Sequence, residues 1–169
     1  MPAETAIGNI GKIDPMKIRC TNDAGDRDWL ELRGEFFPEE FPGEHQQFLE
    51  SLERQGRFTA FIAHAGNGVA MGFAEVAIRQ DFVNGCQHRP ALFLEGIFVR
   101  PQFRGRGIAH ALCAAAEEFG ARQGCHEFAS DVFIDDHASL AAHLALGFAE
   151  TERVVYFRKT IVSADGQQE

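Results

Sequence analysis

At 169 residues, with 45% hydrophobic and 24% charged side chains, the chain has the length and composition of one well-packed domain, too short for two ordinary ones and too apolar to be disordered. Sixteen basic against twenty-five acidic side chains leave a net charge of −9. That is the wrong sign for a nucleic-acid surface, and it suits either a cationic small-molecule partner or plain solubility.

Residues 1–15 carry no usable pattern and read as a disordered extension, a vector-derived leader or a misplaced start. MKIRC, from Met16, is strand-like. Residues 24–34 and 44–55 look helical, joined by the proline-broken FFPEEFPG. RFTAFIAHA (57–65) and VAMGFAEVAI (69–78) read as strands, with Gly66-Asn67-Gly68 as a hairpin turn between them. After the loop DFVNGCQHRP, ALFLEGIFV (91–99) is nearly all apolar, as in a strand buried on both faces. Ile108, Leu112, Ala115, Ala116 and Phe119 then recur at helical spacing, with Gly120 and Gly124 marking the region where that helix stops. CHEFASDVF (125–133) reads as the next strand, DDHASLAAHLALGF as a short helix closed by Gly147, and TERVVYFRKTI as a last strand. One domain over 16–161 and a tail over 162–169 are expected.

Four cysteines (Cys20, Cys86, Cys113, Cys125) make no C-x-x-C pair and read as reduced thiols of a cytoplasmic protein. Seven histidines show no H-E-x-x-H and no zinc-type cluster, so no metal is expected. No segment has the length and apolarity of a membrane span.

The most informative stretch is FVRPQFRGRGIAHAL (98–112), where a strand pattern ends and a helix pattern begins. A helix N-terminus presents unpaired N–H groups and the positive end of the helix dipole. Gly105 and Gly107 remove the side chains that would hold a phosphate away from those amides, Ala109 stays small, and Arg100, Arg104 and Arg106 supply positive charge. A pyrophosphate needs that combination. No lysine follows in the manner of a P-loop. The dinucleotide fingerprint G-x-G-x-x-G fails at His110, although Asp131 lies about twenty residues on, where a ribose-binding acid would stand.

Arg104-x-x-Gly107-x-Ala109 resembles the acetyl-CoA loop of the GNAT superfamily of N-acetyltransferases. The order of elements around it, ending in Leu146-Gly147-Phe148, is similar to that family over residues 16–161. The resemblance implies a single α/β (α+β) domain with a central mixed, mostly antiparallel twisted sheet whose central strands splay apart, flanked by helices. It implies acetyl-CoA as cosubstrate, with backbone contacts from Phe98 and Val99 to pantetheine and amides of Arg104, Gly105, Arg106, Gly107, Ile108 and Ala109 on the pyrophosphate. Gly96 in mid-strand fits a bulge. Where many relatives place a tyrosine that protonates the departing thiolate, this chain has His143, a proton donor or a contact for the pantetheine sulfur.

DFVNGC (81–86), FLEGIFV (93–99), ASD (129–131) and LGFAETERVVYFRK (146–159) further resemble segments of aminoglycoside 6'-N-acetyltransferases. That resemblance implies a cationic amine acceptor held by Glu95 and Asp131, with Phe82 and Phe37 packed on sugar rings; Asp136 is expected to join them by its charge. An alkylamine has a pKa of about 10, so roughly one molecule in a thousand is neutral at pH 7, and the site must gather cations and then remove a proton. Asp131 is the expected base. Asp135, Glu39, Glu40 and Glu44 add negative charge nearby. Another acceptor amine (a polyamine or a peptide N-terminus) and a non-catalytic acetyl-CoA-binding module remain alternatives. A homodimer is expected, through pairing of the ETERVVYFRK edge.

Overall fold

The computed structural model describes residues 16–38, 42–56 and 58–161. The expectations for residues 1–15, Glu39, Glu40 and 162–169 lie outside that range. In chain order the elements are β1 (Lys17–Thr21), α1 (Arg27–Phe36), α2 (Pro42–Gln55), β2 (Phe58–His64), β3 (Ala70–Arg79), β4 (Ala91–Val99), a 3-10 turn (Pro101–Phe103), α3 (Ile108–Arg122), β5 (Phe128–Ala129) and α4 (His137–Ala145).

The five strands form one sheet in sequence order, antiparallel from β1 to β4, with β5 added parallel to β4. β1 pairs antiparallel with β2 across the long connection that carries α1 and α2, β2, β3 and β4 follow one another through loops without helices, and the α3 crossover returns the chain to set β5 parallel to β4. The hairpin between β2 and β3 turns through Gly68 at φ +85°, with Ala65 and Val69 closing it.

Strand alternation divides the core between two faces. On one face Phe61, Met71, Ala74, Val76, Leu92 and Leu94 pack against Ile108, Leu112 and Ala116 of α3. On the other, Ala60, Ile62 and Phe73 pack against Trp29 and Leu32 of α1 and Leu49 of α2. Gly120 does not end α3. It lies inside the helix, where an added Cβ would sit 2.9 Å from Leu92 Cδ2, so its role is close approach of helix to sheet. The helix closes three residues later, with Gly124 at φ +81° and the Cys125 N–H donating to the Gly120 carbonyl.

Two expected strands differ. The strand expected over 125–133 is reduced to Phe128–Ala129, which pair with Leu92 and Phe93; beyond them the chain leaves β4. The last strand does not form. Residues 149–161 are exposed and carry no ladder, with Phe157 93% and Ile161 91% accessible. Alternation predicts which residues would face a sheet, but strand hydrogen bonds need a partner strand, and the described residues supply none to that segment.

Candidate active site

The site starts from the divergence of β4 and β5. Their ladder ends at Phe93 and Ala129, so the β5-facing edge of β4 from Leu94 to Val99 has no partner strand, while its other edge stays paired to β3 through Gly72. Phe98 and Val99 lie on this open stretch. Backbone groups exposed in a gap are available to a ligand that presents amides of its own.

At the end of the open edge the chain makes the 3-10 turn and enters α3 through Gly105 (φ +73°) and Gly107 (φ +76°), the latter being the N-cap. Side chains rarely adopt this left-handed conformation, and nothing lies within 4 Å of the place where a Cβ would stand on either glycine. The space above the loop is open, and the first-turn N–H groups of α3 have no side-chain cap. Arg104 donates from Nε to the Val99 carbonyl at 2.9 Å, fastening the loop to β4, while Arg106 stacks over Phe103. This glycine cradle fits the pyrophosphate of acetyl-CoA. Arg100 does not join it. Its guanidinium binds Glu31 and Glu35 of α1 and the Ala70 carbonyl, so this charge is spent on joining α1 to the end of β4.

α4 lies across the far side of the gap. Asp136 caps it by accepting from the Ser139 N–H at 2.9 Å, so the structure gives this expected substrate contact a helix-capping task; Asp135 stands exposed beside it. His143 Nδ1 lies 2.8 Å from the Ser139 carbonyl, which can only accept, so Nδ1 carries a proton. Its Nε2 lies 2.9 Å from Ser130 Oγ, which in turn reaches the Leu94 carbonyl on the open edge. His143 therefore meets β4 through Ser130. The sequence offered Ser130 only as the middle of ASD.

On the α1/α2 face, the register of β3 and β4 shifts: Val76 pairs with Leu94 and Glu75 with Gly96, leaving Glu95 as the extra residue of a bulge. The mid-strand glycine does mark the bulge, and the bulge turns Glu95 outward. A groove of about 380 Å³ runs past it, lined by Phe48 and Leu52 of α2, Phe58, Arg79, Asp81, Phe82 and Glu95 among others. Val83 is the buried anchor of the 81–90 loop, which throws its neighbour Phe82 outward to 70% exposure. Glu127 accepts from the backbone N–H groups of Gln87 and His88 and fastens the loop to the start of β5. Glu95 is not alone there: Arg79 binds it at 2.9 Å. Asp131 is exposed just beyond β5. Phe37 is half-buried, its ring tilted against Phe36 and under the Arg33 guanidinium, 4.7 Å from its ring centroid.

The buried acid of this face is Glu75. Its side chain is 2% accessible and receives Trp29 Nε1 at 2.6 Å and Arg33 Nη1 at 2.5 Å. Burial pushes its carboxyl above the usual carboxylate range, against the pull of Arg33 and Trp29. An acid inside an apolar strand needs a partner, and the same signal that drew notice to Glu95 stood in VAMGFAEVAI. Glu75 lies opposite Gly96, so the Arg33–Glu75–Trp29 cluster holds α1 against the bulge. Among the described residues no group of three or more His, Cys, Asp and Glu is arranged for a metal ion.

Known proteins share this arrangement. The model of the acetyltransferase (GNAT) family matches residues 27–148. The chain is 44% identical over 144 residues to the aminoglycoside N(6')-acetyltransferase type 1 of Salmonella enteritidis, which covers 85% of this chain and 99% of that protein. The protein of the same name from Serratia marcescens is 43% identical over 146 residues, with 86% and 99% covered. The solved structure of AAC(6')-Iy in complex with the bisubstrate analogue CoA-S-monomethyl-acetylneamine superposes with a TM-score of 0.80 at 43% identity, over 88% of this chain and all of that one. AAC(6')-Ih from Acinetobacter baumannii gives 0.81 at 40%, over 87% and 99%. A sheet splayed beside a glycine-cradled helix start, matched along nearly the full length of these relatives, leads to one conclusion: the chain belongs to the acetyltransferase (GNAT) family.

Proposed function

We propose that this chain moves the acetyl group of acetyl-CoA to a primary amine, the 6'-amine of an aminoglycoside, by direct attack in a ternary complex. The observation that carries the reading is the open edge of β4: on one side it leads to the glycine cradle at the start of α3, on the other to a groove of acidic and aromatic side chains. A thioester donor and a polycationic acceptor meet across that edge. The names of the relatives at 41–44% identity support the acceptor class.

Acetyl-CoA supplies an activated acyl group. In this reading Phe98 and Val99 hold pantetheine through their backbone, and the amides from Arg104 to Ala109 hold the pyrophosphate. Glu95 and Phe82 receive the aminoglycoside, with Phe37 and Asp136 at the rim. The free amine nitrogen bonds to the carbonyl carbon as the carbon–sulfur bond breaks; the amine proton passes to Asp131, directly or through water, and the thiolate takes a proton delivered from the side of His143. A carboxylate is a weak base toward an ammonium group, so positioning carries much of the rate.

Thiol release with a panel of kanamycin-type amines, polyamines and a peptide N-terminus tests this. Release with the aminoglycosides is the expected outcome. Release only with another amine would reassign the acceptor, and tight acetyl-CoA binding without release would make the chain a binding module.

The working form proposed is a cytoplasmic homodimer. Free thiols and a cosubstrate made inside the cell favour that compartment. For the dimer, β5 is the last strand and its far edge is open, while residues 149–161 present Val155, Tyr156 and Phe157 to solvent with no strand beside them. An open edge and an unpaired segment on the same chain are complementary between two copies. Light scattering at micromolar concentration should give twice the 18.7 kDa chain mass; the monomer mass would refute the dimer.

A further inference from the structure

Both ring nitrogens of His143 are already engaged. Nδ1 lies 2.8 Å from the Ser139 carbonyl one turn back in α4, and Nε2 lies 2.9 Å from Ser130 Oγ. Phe148 packs edge-on against the ring, with centroids 5.3 Å apart, and is itself backed by Phe128 of β5. The imidazole is held in this seat, and neither nitrogen is open to a ligand. A proton that leaves His143 toward β4 leaves through Ser130.

Ser130 has a single hydroxyl proton and two acceptors within reach. The Leu94 carbonyl, at 3.2 Å, can only accept. Neutral His143, with its proton on Nδ1, offers a lone pair at Nε2, and this shorter contact takes the hydroxyl proton. Imidazolium His143 donates from Nε2 instead, and the hydroxyl proton is then released toward the open edge of β4. The charge on His143 sets which way the Ser130 hydroxyl points.

The place of Ser130 matters as much as its bonds. It is the first residue beyond the β4–β5 ladder, which ends at Phe93 and Ala129, so it stands where the gap begins to open. The glycine cradle lies at the other end of the gap, beyond Val99. From Leu94 to Val99 the strand is about 16 Å long, comparable to an extended pantetheine arm from its phosphate to its sulfur. A pantetheine that starts at the cradle and runs back along the open edge brings its sulfur beside Ser130.

We propose that Ser130 is a catalytic residue of the acetyl transfer, the hydroxyl that protonates the departing thiolate, with His143 behind it as the source of the proton. The electron pair of the breaking carbon–sulfur bond stays on sulfur. Sulfur takes the hydroxyl proton of Ser130, Ser130 Oγ takes the Nε2 proton of imidazolium His143, and His143 is left neutral with its proton on Nδ1. Both transfers occur together, so the hydroxyl is never left ionised. The restored hydroxyl then donates to Nε2, and His143 regains a proton from water before the next turnover. The inference rests on the acetyl transfer described under the proposed function.

The test uses the full chain as wild type, Ser130→Ala, Ser130→Thr, His143→Gln and the Ser130→Ala/His143→Gln double variant, each checked by thermal melting. Acetyl transfer to a saturating kanamycin-type amine is followed in a single turnover, with enzyme in excess over acetyl-CoA. The acetyl-CoA Kd and the amine KM are measured alongside. Ser130→Ala should slow the single turnover by about 10²-fold, the low end for general acid catalysis, with Kd and KM unchanged. Glutamine at 143 can orient the hydroxyl but cannot give up a proton, so His143→Gln should lose as much. The double variant should lose no more than either, because both changes cut the same relay. Ser130→Thr keeps the hydroxyl and should recover most of the rate. A wild-type rate in folded Ser130→Ala, or in His143→Gln should the alanine variant not fold, overturns this inference and leaves the acetyl transfer standing. A loss confined to Kd or KM also overturns it, because Ser130 would then only tie α4 to β4. A slow Ser130→Ala beside a fast His143→Gln does the same, since the effect would pass through the neighbouring Asp131. If wild type transfers acetyl to no amine, the proposed function fails and this inference falls with it.

Discussion

The two sides of the cleft are built from different material. On the side proposed for the cofactor, the groups that face the gap are backbone: the unpaired edge of β4 and the first amides of α3, beside two glycines at positive φ, with Arg104 bonded back to the Val99 carbonyl. In the groove proposed for the acceptor they are side chains, drawn from α2, β2, β3, the 81–90 loop and β4, with Glu95 already paired to Arg79. The difference teaches where change is tolerated. A backbone site accepts almost any residue except at its glycines, whereas a site of side chains is retuned one residue at a time.

Gly107→Val breaks the backbone side. A β-branched residue at φ +76° must move the N-cap of α3 and places atoms in the space proposed for the phosphates. Losing two charge-assisted amide bonds at about 1.5–3 kcal/mol each implies acetyl-CoA affinity lower by roughly 10³-fold, far beyond the change in melting temperature. Calorimetry on the folded variant reads this, and an unchanged Kd would remove the cradle from the site.

Three carboxylates sharpen the contrast within the side-chain half. Glu75→Ala leaves Arg33 buried without its anion and should cost about 3–5 kcal/mol of stability, measured by urea unfolding. Asp131→Asn keeps shape and removes basicity, so turnover at saturating amine should fall by about 10²-fold, with melting unaltered. Near wild-type turnover would pass the proton to another group or to water. Glu95→Gln, at a 27% exposed side chain, should raise acceptor KM by about tenfold or less and leave stability within about 0.5 kcal/mol.

The smallest effect is a pH signature. Asp26, the N-cap of α1, is held below the usual carboxylate range by Arg19, which donates to it at 2.5 and 2.8 Å. A depressed folded-state pKa gives stability that is present above the unfolded value near 4 and is lost as pH falls below it. Both groups are partly solvated, so the loss should stay below about 1 kcal/mol, and Arg19→Met should flatten it in an acid unfolding series.

The glycine turn from β4 into α3 was legible in the residue string because it is local. Strand, glycine turn and helix start follow one another within FVRPQFRGRGIAHAL, and the physics of a helix N-terminus needs nothing from elsewhere. The arginines were the exception: three stand in the stretch, but which of them faces the ligand depends on what lies nearby, and Glu31 and Glu35, some 65 residues away along the chain, take Arg100. The β4 bulge was legible too, through Gly96. Its consequence was not, since the pairing of Glu95 with Arg79 and the burial of Glu75 against Arg33 join residues 16 and 42 positions apart.

Periodicity and turn chemistry by themselves determined the order of the elements from β1 through α4, because each reports which face of a local segment is apolar. Resemblance added the family and the donor. Only the tertiary structure decided how long β5 is, that residues 149–161 pair with no strand among the described residues, and that His143 reaches β4 through Ser130. A strand exists by virtue of its partner and a charge by virtue of its neighbours, and neither partner nor neighbour is written beside it in the chain.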